Sequence, residues 1–247
     1  MARLARVVVP GFPHHVKHWS NRHARLFDND RSRQSYLELV GRYARACNVE
    51  IWAYCLLKNH VHWVVVPKTA SSLADCFRGA HTRFAVDVNA ARGESGHLWE
   101  NRFQSCPLDR AHLAAVLRYV ENNPVRAKLV GRAEAFRWSS AVAHCGSKDP
   151  AGILSLAAWR REYRPKQWRA ALRKEPDPAV LKMIRLRTRT GRPLGAPEFM
   201  RKTEELLGRR LRPLPVGRPP GRKNKAPSGR KPHPKPARKR RPRGKSY

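Results

Sequence analysis

The chain has 247 residues, 41% of them hydrophobic, and its 52 Lys and Arg against 18 Asp and Glu leave a formal net charge of +34. That length suits one ample domain or two small ones with a real core, and so much positive charge repels itself unless a polyanion neutralises it, which favours nucleic acid over an anionic membrane surface. The apolar runs 51–57 and 63–66 are too short to span a bilayer, residues 1–12 lack the apolar stretch of a signal peptide, and five scattered cysteines without a C-x-x-C exclude a disulfide scaffold and a zinc finger.

In chain order, residues 7–9 and 14–19 have strand-like composition, and 31–46 is helical in spacing through Tyr36, Leu39, Val40 and Tyr43. Residues 49–57 follow as a strand rich in β-branched and aromatic residues, Lys58-Asn59 is a turn signal, and 60–66 is a second strand ended by Pro67. Ser71 or Ser72 caps a helix to about Ala90, 93–96 is a loop and 98–106 reads as a strand. Asp109 then caps a helix that reaches Asn122 or Asn123 before Pro124. This β-α-β-β-α-β-α order predicts an α+β fold, a ferredoxin-like antiparallel sheet with helices on one face.

With no membrane segment to place, a soluble cytoplasmic protein is expected, and its charge is uneven. Residues 1–146 hold +10 and form the first domain. Residues 147–208 hold +8 and show helical signals at 156–163, 168–173, 178–189 and 197–207, a small appendage that is a candidate DNA-contacting module. Residues 209–247 hold +16 with nine prolines and no acidic residue, so they cannot bury enough surface to offset their ordering entropy and are expected to be disordered. Such an arm tracks phosphates with an affinity that falls with salt; a merely solubilising tail is the alternative. Within it Gly217-Arg218-Pro219, followed by Arg222 and Lys223, is similar to the core of an AT-hook that enters the minor groove.

Two local patterns carry chemistry. In the strand 60–66, His60 and His62 are two residues apart and share a face, close enough to hold one metal ion, while Val61 and Trp63 point the other way. On this pattern alone the commoner reading is a pair of partly buried histidines satisfied by backbone or water. Tyr119 stands in the last turns of a predicted helix and Asn123 four residues later on the same face, so a phenol and an amide oxygen can approach one point. A core tyrosine followed by a capping asparagine is the plainer alternative.

The motifs NHVHWVV at 59–65 and RYVENNPVRAKLV at 118–130 together resemble the REP-associated tyrosine transposases, within the insertion-sequence-200-like group of single-tyrosine HUH transposases. Further matching segments lie at 11–16, 20–22, 53–56, 96–103, 136–140 and 190–195, so the resemblance covers 5–146 well and 147–222 more loosely. It implies the HUH nuclease fold and a metal-dependent single-stranded DNA endonuclease and strand transferase acting at REP-type hairpins. In that reading His60, His62 and Asn123 hold a divalent ion, Mg²⁺ or Mn²⁺, and Tyr119 is the nucleophile of a 5′-phosphotyrosine intermediate. Two nitrogen ligands favour Mn²⁺, while Mg²⁺ prefers oxygen but is abundant. Arg22, Arg102, Arg118 and Arg126 become candidate contacts to DNA, with Arg218 and Arg222 in the arm. Trp63 and Trp99 read as core, and His14, His15 and His97 as structural or DNA-facing. The expected partners are hairpins of REP-like palindromes, with no membrane, for a monomer or homodimer working at the bacterial nucleoid. A non-catalytic nucleic-acid-binding protein on a degenerate transposase fold is the competing expectation, distinguished by hairpin binding that ignores EDTA. A zinc hydrolase lacks a third histidine or cysteine at ligand spacing.

Overall fold

The computed structural model describes residues 5–212; the rest of the basic arm, including Arg218 and Arg222, lies outside the described residues. Capping side chains set the helix starts. Asn29 and Ser32 cap reciprocally at the start of one helix, and Asp109 accepts the His112 backbone N–H at 2.9 Å at the start of another. The resulting order is β1 (His14–Trp19), α1 (Asp30–Ala46), β2 (Val49–Leu56), β3 (His60–Pro67), α2 (Ser72–Arg92), β4 (Gln104–Pro107) and α3 (Arg110–Glu121). All pairings are antiparallel, in the spatial order β2-β3-β1-β4. The connections through α1 and α2 bring both helices onto one face, which is the ferredoxin-like arrangement expected from the sequence.

That face is the larger core. Val16, Tyr54, Leu56, Val61, Trp63 and Val65 meet apolar residues of α1 and α2 there. The two helices approach closely at Gly79, where a Cβ would come within 2.3 Å of the Tyr43 ring. The opposite face carries Ala53, Cys55, Val64 and Cys106, and these pack against α3 and later helices. The later helices are α4 (Asn123–Arg126), α5 (Ala141–His144), α6 (Leu156–Glu162), α7 (Pro165–Arg173), α8 (Pro178–Thr190) and α9 (Pro197–Leu207). Trp159, Trp168 and Ile184 bring α6, α7 and α8 into this second core. The Glu121 carboxylate, fully buried, accepts hydrogen bonds from Ser140, His144 and, at 2.8 Å, the Trp168 indole, and so ties α3 to α5 and α7. After α8 the chain returns to the sheet: Leu194 N–H donates to the Pro107 carbonyl at 2.9 Å beside β4.

Two expected strands differ. Residues 7–9 lie outside the sheet, because both edges of β1 are already taken by β3 and β4. Val7 and Val9 bury themselves against Met200 and Leu211, and Val9 N–H donates to His14 Nε2 at 3.1 Å. Of 98–106, only the end from Gln104 pairs as part of β4, since Asn101 takes a left-handed φ of 53° and interrupts the extended run. Among the described residues no helix is long and apolar enough to cross a membrane.

Candidate functional site

The site stands on the second face of the sheet. The register pairs His60 with Trp19, His62 with Lys17 and Val64 with His15, so all six side chains share that face. The His60 and His62 rings are 5.0 Å apart between centroids, at 71° to each other. His60 stacks on Trp19 at 3.8 Å and donates its Nδ1–H to Asn59 Oδ1 at 2.8 Å, which leaves Nε2 as a lone pair. His62 Nδ1 bonds to His15 Nε2 at 2.9 Å, and His62 Nε2 is buried without a hydrogen-bond partner among the described residues.

From α3, Tyr119 sets its ring edge-on to His15 at 5.6 Å and to His62 at 5.7 Å. The Arg126 guanidinium lies 4.4 Å over the same tyrosine ring and donates to the Tyr119 carbonyl at 2.6 Å and to Asn123 Oδ1 at 2.8 Å. Asn123 in turn donates its amide N–H groups to the Tyr119 and Val120 carbonyls, both at 3.1 Å, and so also caps α3.

Burial, with Lys17 and other cations nearby, pushes the His15 and His60 rings down to about 3, and burial holds His62 well below the usual imidazole range. The imidazoles are therefore neutral at physiological pH, the form that ligates metal. Lys17 itself is pushed down to about 8 by burial and by Arg185 and Arg126. An orphaned buried nitrogen is costly unless a ligand takes its lone pair, so the His62 Nε2, with its His60 neighbour, fits a divalent ion. No group of three His, Cys, Asp or Glu side chains able to hold a metal occurs among the described residues, so a further ligand would be of another type, such as an amide oxygen.

Residues 12–123, which include the strands, both histidines and the tyrosine, match the family described as "Transposase IS200 like". No curated protein sequence matches the chain. Among solved structures, the chain is similar to a REP-associated tyrosine transposase bound to a REP hairpin, at 20% identity over 57% of this chain and 82% of that one, with a TM-score of 0.48. It is also similar to a protein of Deinococcus radiodurans R1 described as a transposase, at 16% identity over 49% and 97% of the two chains, with a TM-score of 0.35.

Around this site the other expected residues scatter. Arg126 is at the tyrosine. Arg118 instead donates to the Lys174 carbonyl at 2.7 Å, in the link after α7. Arg22 is exposed in the turn after β1, with a left-handed φ of 52°. Arg102 is exposed on the rim of a groove of about 1070 Å³, which also passes Lys17, Trp19, His23, Arg189 and Arg192. Trp63 and Trp99 are core, as expected. His14 is structural, donating to the Phe12 carbonyl at 2.8 Å, and exposed His97 lines a second cavity beside α2. Sequence reasoning missed His15, Lys17, Asn59 and Thr188 as parts of the site. The signal for the first two was the alternation of β1, which shares a face with His60 and His62 only once the β1–β3 register is known.

Proposed function

We propose that the chain is a REP-associated tyrosine transposase, a metal-dependent single-stranded DNA endonuclease and strand transferase acting at REP-type hairpins. The observation that carries this reading is Tyr119 standing edge-on to His62, beside two histidines whose Nε2 atoms have no hydrogen-bond partner among the described residues. His60, His62 and Asn123 are the ligands assigned to a Mg²⁺ or Mn²⁺ ion, which when bound polarises a non-bridging phosphate oxygen and offsets its developing charge.

The chain's own residues do the rest. A phenol is a weak nucleophile until developing charge on its oxygen is offset, and the Arg126 guanidinium over the Tyr119 ring is the cation placed to do so. The phenol oxygen attacks phosphorus and the P–O3′ bond breaks. The 5′-phosphate stays on Tyr119, the phenolic proton passes to solvent and the departing 3′-oxygen takes up a proton. Attack by another 3′-hydroxyl reverses these steps and joins strands without ATP, because the phosphotyrosine conserves the bond energy. Lys17, Arg102, Arg189 and Arg192 along the groove neutralise backbone phosphates of the single strand, Arg22 extends that path, and Arg218 and Arg222 add sequence-independent affinity.

The test is a denaturing gel of the protein incubated with labelled single-stranded hairpin DNA and Mn²⁺. A covalent adduct is expected that EDTA and Tyr119→Phe both abolish. Adduct formation by Tyr119→Phe equal to wild type would overturn the assignment, and hairpin binding without adduct under any divalent metal would favour the non-catalytic binder.

A further inference from the structure

We infer that Thr188 on α8 is a positioning residue for His62: acting through His15, it fixes the tautomer that leaves His62 Nε2 as a lone pair. The argument follows the protons. A threonine hydroxyl has a single proton, and that of Thr188 is donated to the Ile184 carbonyl, one turn back on α8, at 2.8 Å. The same oxygen lies 2.8 Å from His15 Nδ1, so it accepts there and the proton of that bond sits on His15 Nδ1. In a neutral imidazole the other nitrogen is then an acceptor. His15 Nε2 accordingly accepts from His62 Nδ1 at 2.9 Å, with the two ring planes within 2° of parallel. The remaining nitrogen of His62 has no proton, and it is the buried atom that has no partner among the described residues.

Each member of this chain is buried: Thr188 is 3% exposed, His15 1% and His62 0%. Solvent therefore does not supply the missing partner if one is removed. Without the Thr188 acceptor, the His15 proton is stranded at Nδ1 or moves to Nε2. In the second case His15 becomes the donor toward His62 Nδ1, and the His62 proton is driven onto Nε2, where it blocks a ligand. His60 reaches the same end by a different device, its neighbour Asn59. The histidine pair is thus set from two sides, locally by Asn59 and across the fold by α8. The relevance of the lone pair to metal rests on the proposed function, whereas the tautomer itself does not.

The experiment uses the full chain with ¹⁵N-labelled histidine. Long-range ¹H–¹⁵N spectra of the metal-free protein should show the His62 proton on Nδ1 in wild type and in Thr188→Ser. In Thr188→Val they should show it wholly or partly on Nε2. Mn²⁺ affinity, read by electron paramagnetic resonance, should fall about 10- to 100-fold in Thr188→Val and recover in Thr188→Ser. Thr188→Ala, which adds no bulk, gives the same reading if the valine protein does not fold. A folded Val or Ala variant with the wild-type tautomer overturns the inference. A shifted tautomer with no Mn²⁺ binding even in wild type leaves the relay standing and overturns the metal site instead.

Discussion

Arg126 shows how much one side chain holds together. Its guanidinium covers the Tyr119 ring, and its NH2 group bonds both the Tyr119 carbonyl and Asn123 Oδ1. An amide oxygen has two lone pairs, so the bond from Arg126 aims Asn123 while leaving one pair for a ligand. Arg126→Gln should lower single-turnover adduct formation by about 10²-fold, the scale of losing one charged stabiliser, and Arg126→Lys should lower it less, since an ammonium keeps the charge without the fork. Equal rates for wild type and the glutamine variant would separate Arg126 from the chemistry. At this scale the sequence was legible where the site is local. His60 with His62, and Tyr119 with Asn123, are visible as spacings of two and four residues. His15 was read as structural or DNA-facing because its contact with His62 depends on the pairing of β1 with β3, and its bond to Thr188 joins positions 173 residues apart.

The elements were more readable than the residues, because alternation and capping are local. The order of strands and helices through α3 and the turn at Lys58-Asn59 follow from such signals. The sheet order and the path of residues 7–9 do not, since they depend on which strand edge is already occupied. One close approach makes the helical layer testable. In α2, Gly79 lies against Tyr43 of α1 with no room for a Cβ. Gly79→Ala should destabilise the protein by about 1–3 kcal/mol through overpacking, read as a lower urea midpoint at unchanged slope. The phosphotyrosine yield at 25 °C should be unaffected, because the clash lies on the face of the sheet opposite Tyr119. A variant as stable as wild type would mean that Tyr43 moves aside without loss.

Across the whole molecule, histidine burial makes stability sensitive to acid. Burial lowers His14 and His18 to about 4 and His81 well below its ordinary value. Their unfolded values lie near 6.5, so below that pH the unfolded chain binds protons that the folded chain refuses. Stability is thus complete above about pH 6.5 and is lost as the pH falls towards 4, by up to about 1.4 kcal/mol per pH unit for each histidine that stays neutral. Thermal melts should show a Tm that is flat from pH 7 to 8 and falls steadily from pH 6.5 to 4.5; a Tm constant down to pH 4.5 would contradict the buried neutral state. The long reach from His15 to Thr188 also has a meaning in time. A ribosome at about 5–20 residues per second needs roughly 3–14 s to travel from Tyr119 to Thr188. Throughout that interval the nascent chain carries the proposed nucleophile and ligand histidines but not the residue inferred to set the His62 proton. The order of synthesis therefore keeps the proposed DNA-cutting centre incomplete until most of the polypeptide has been made.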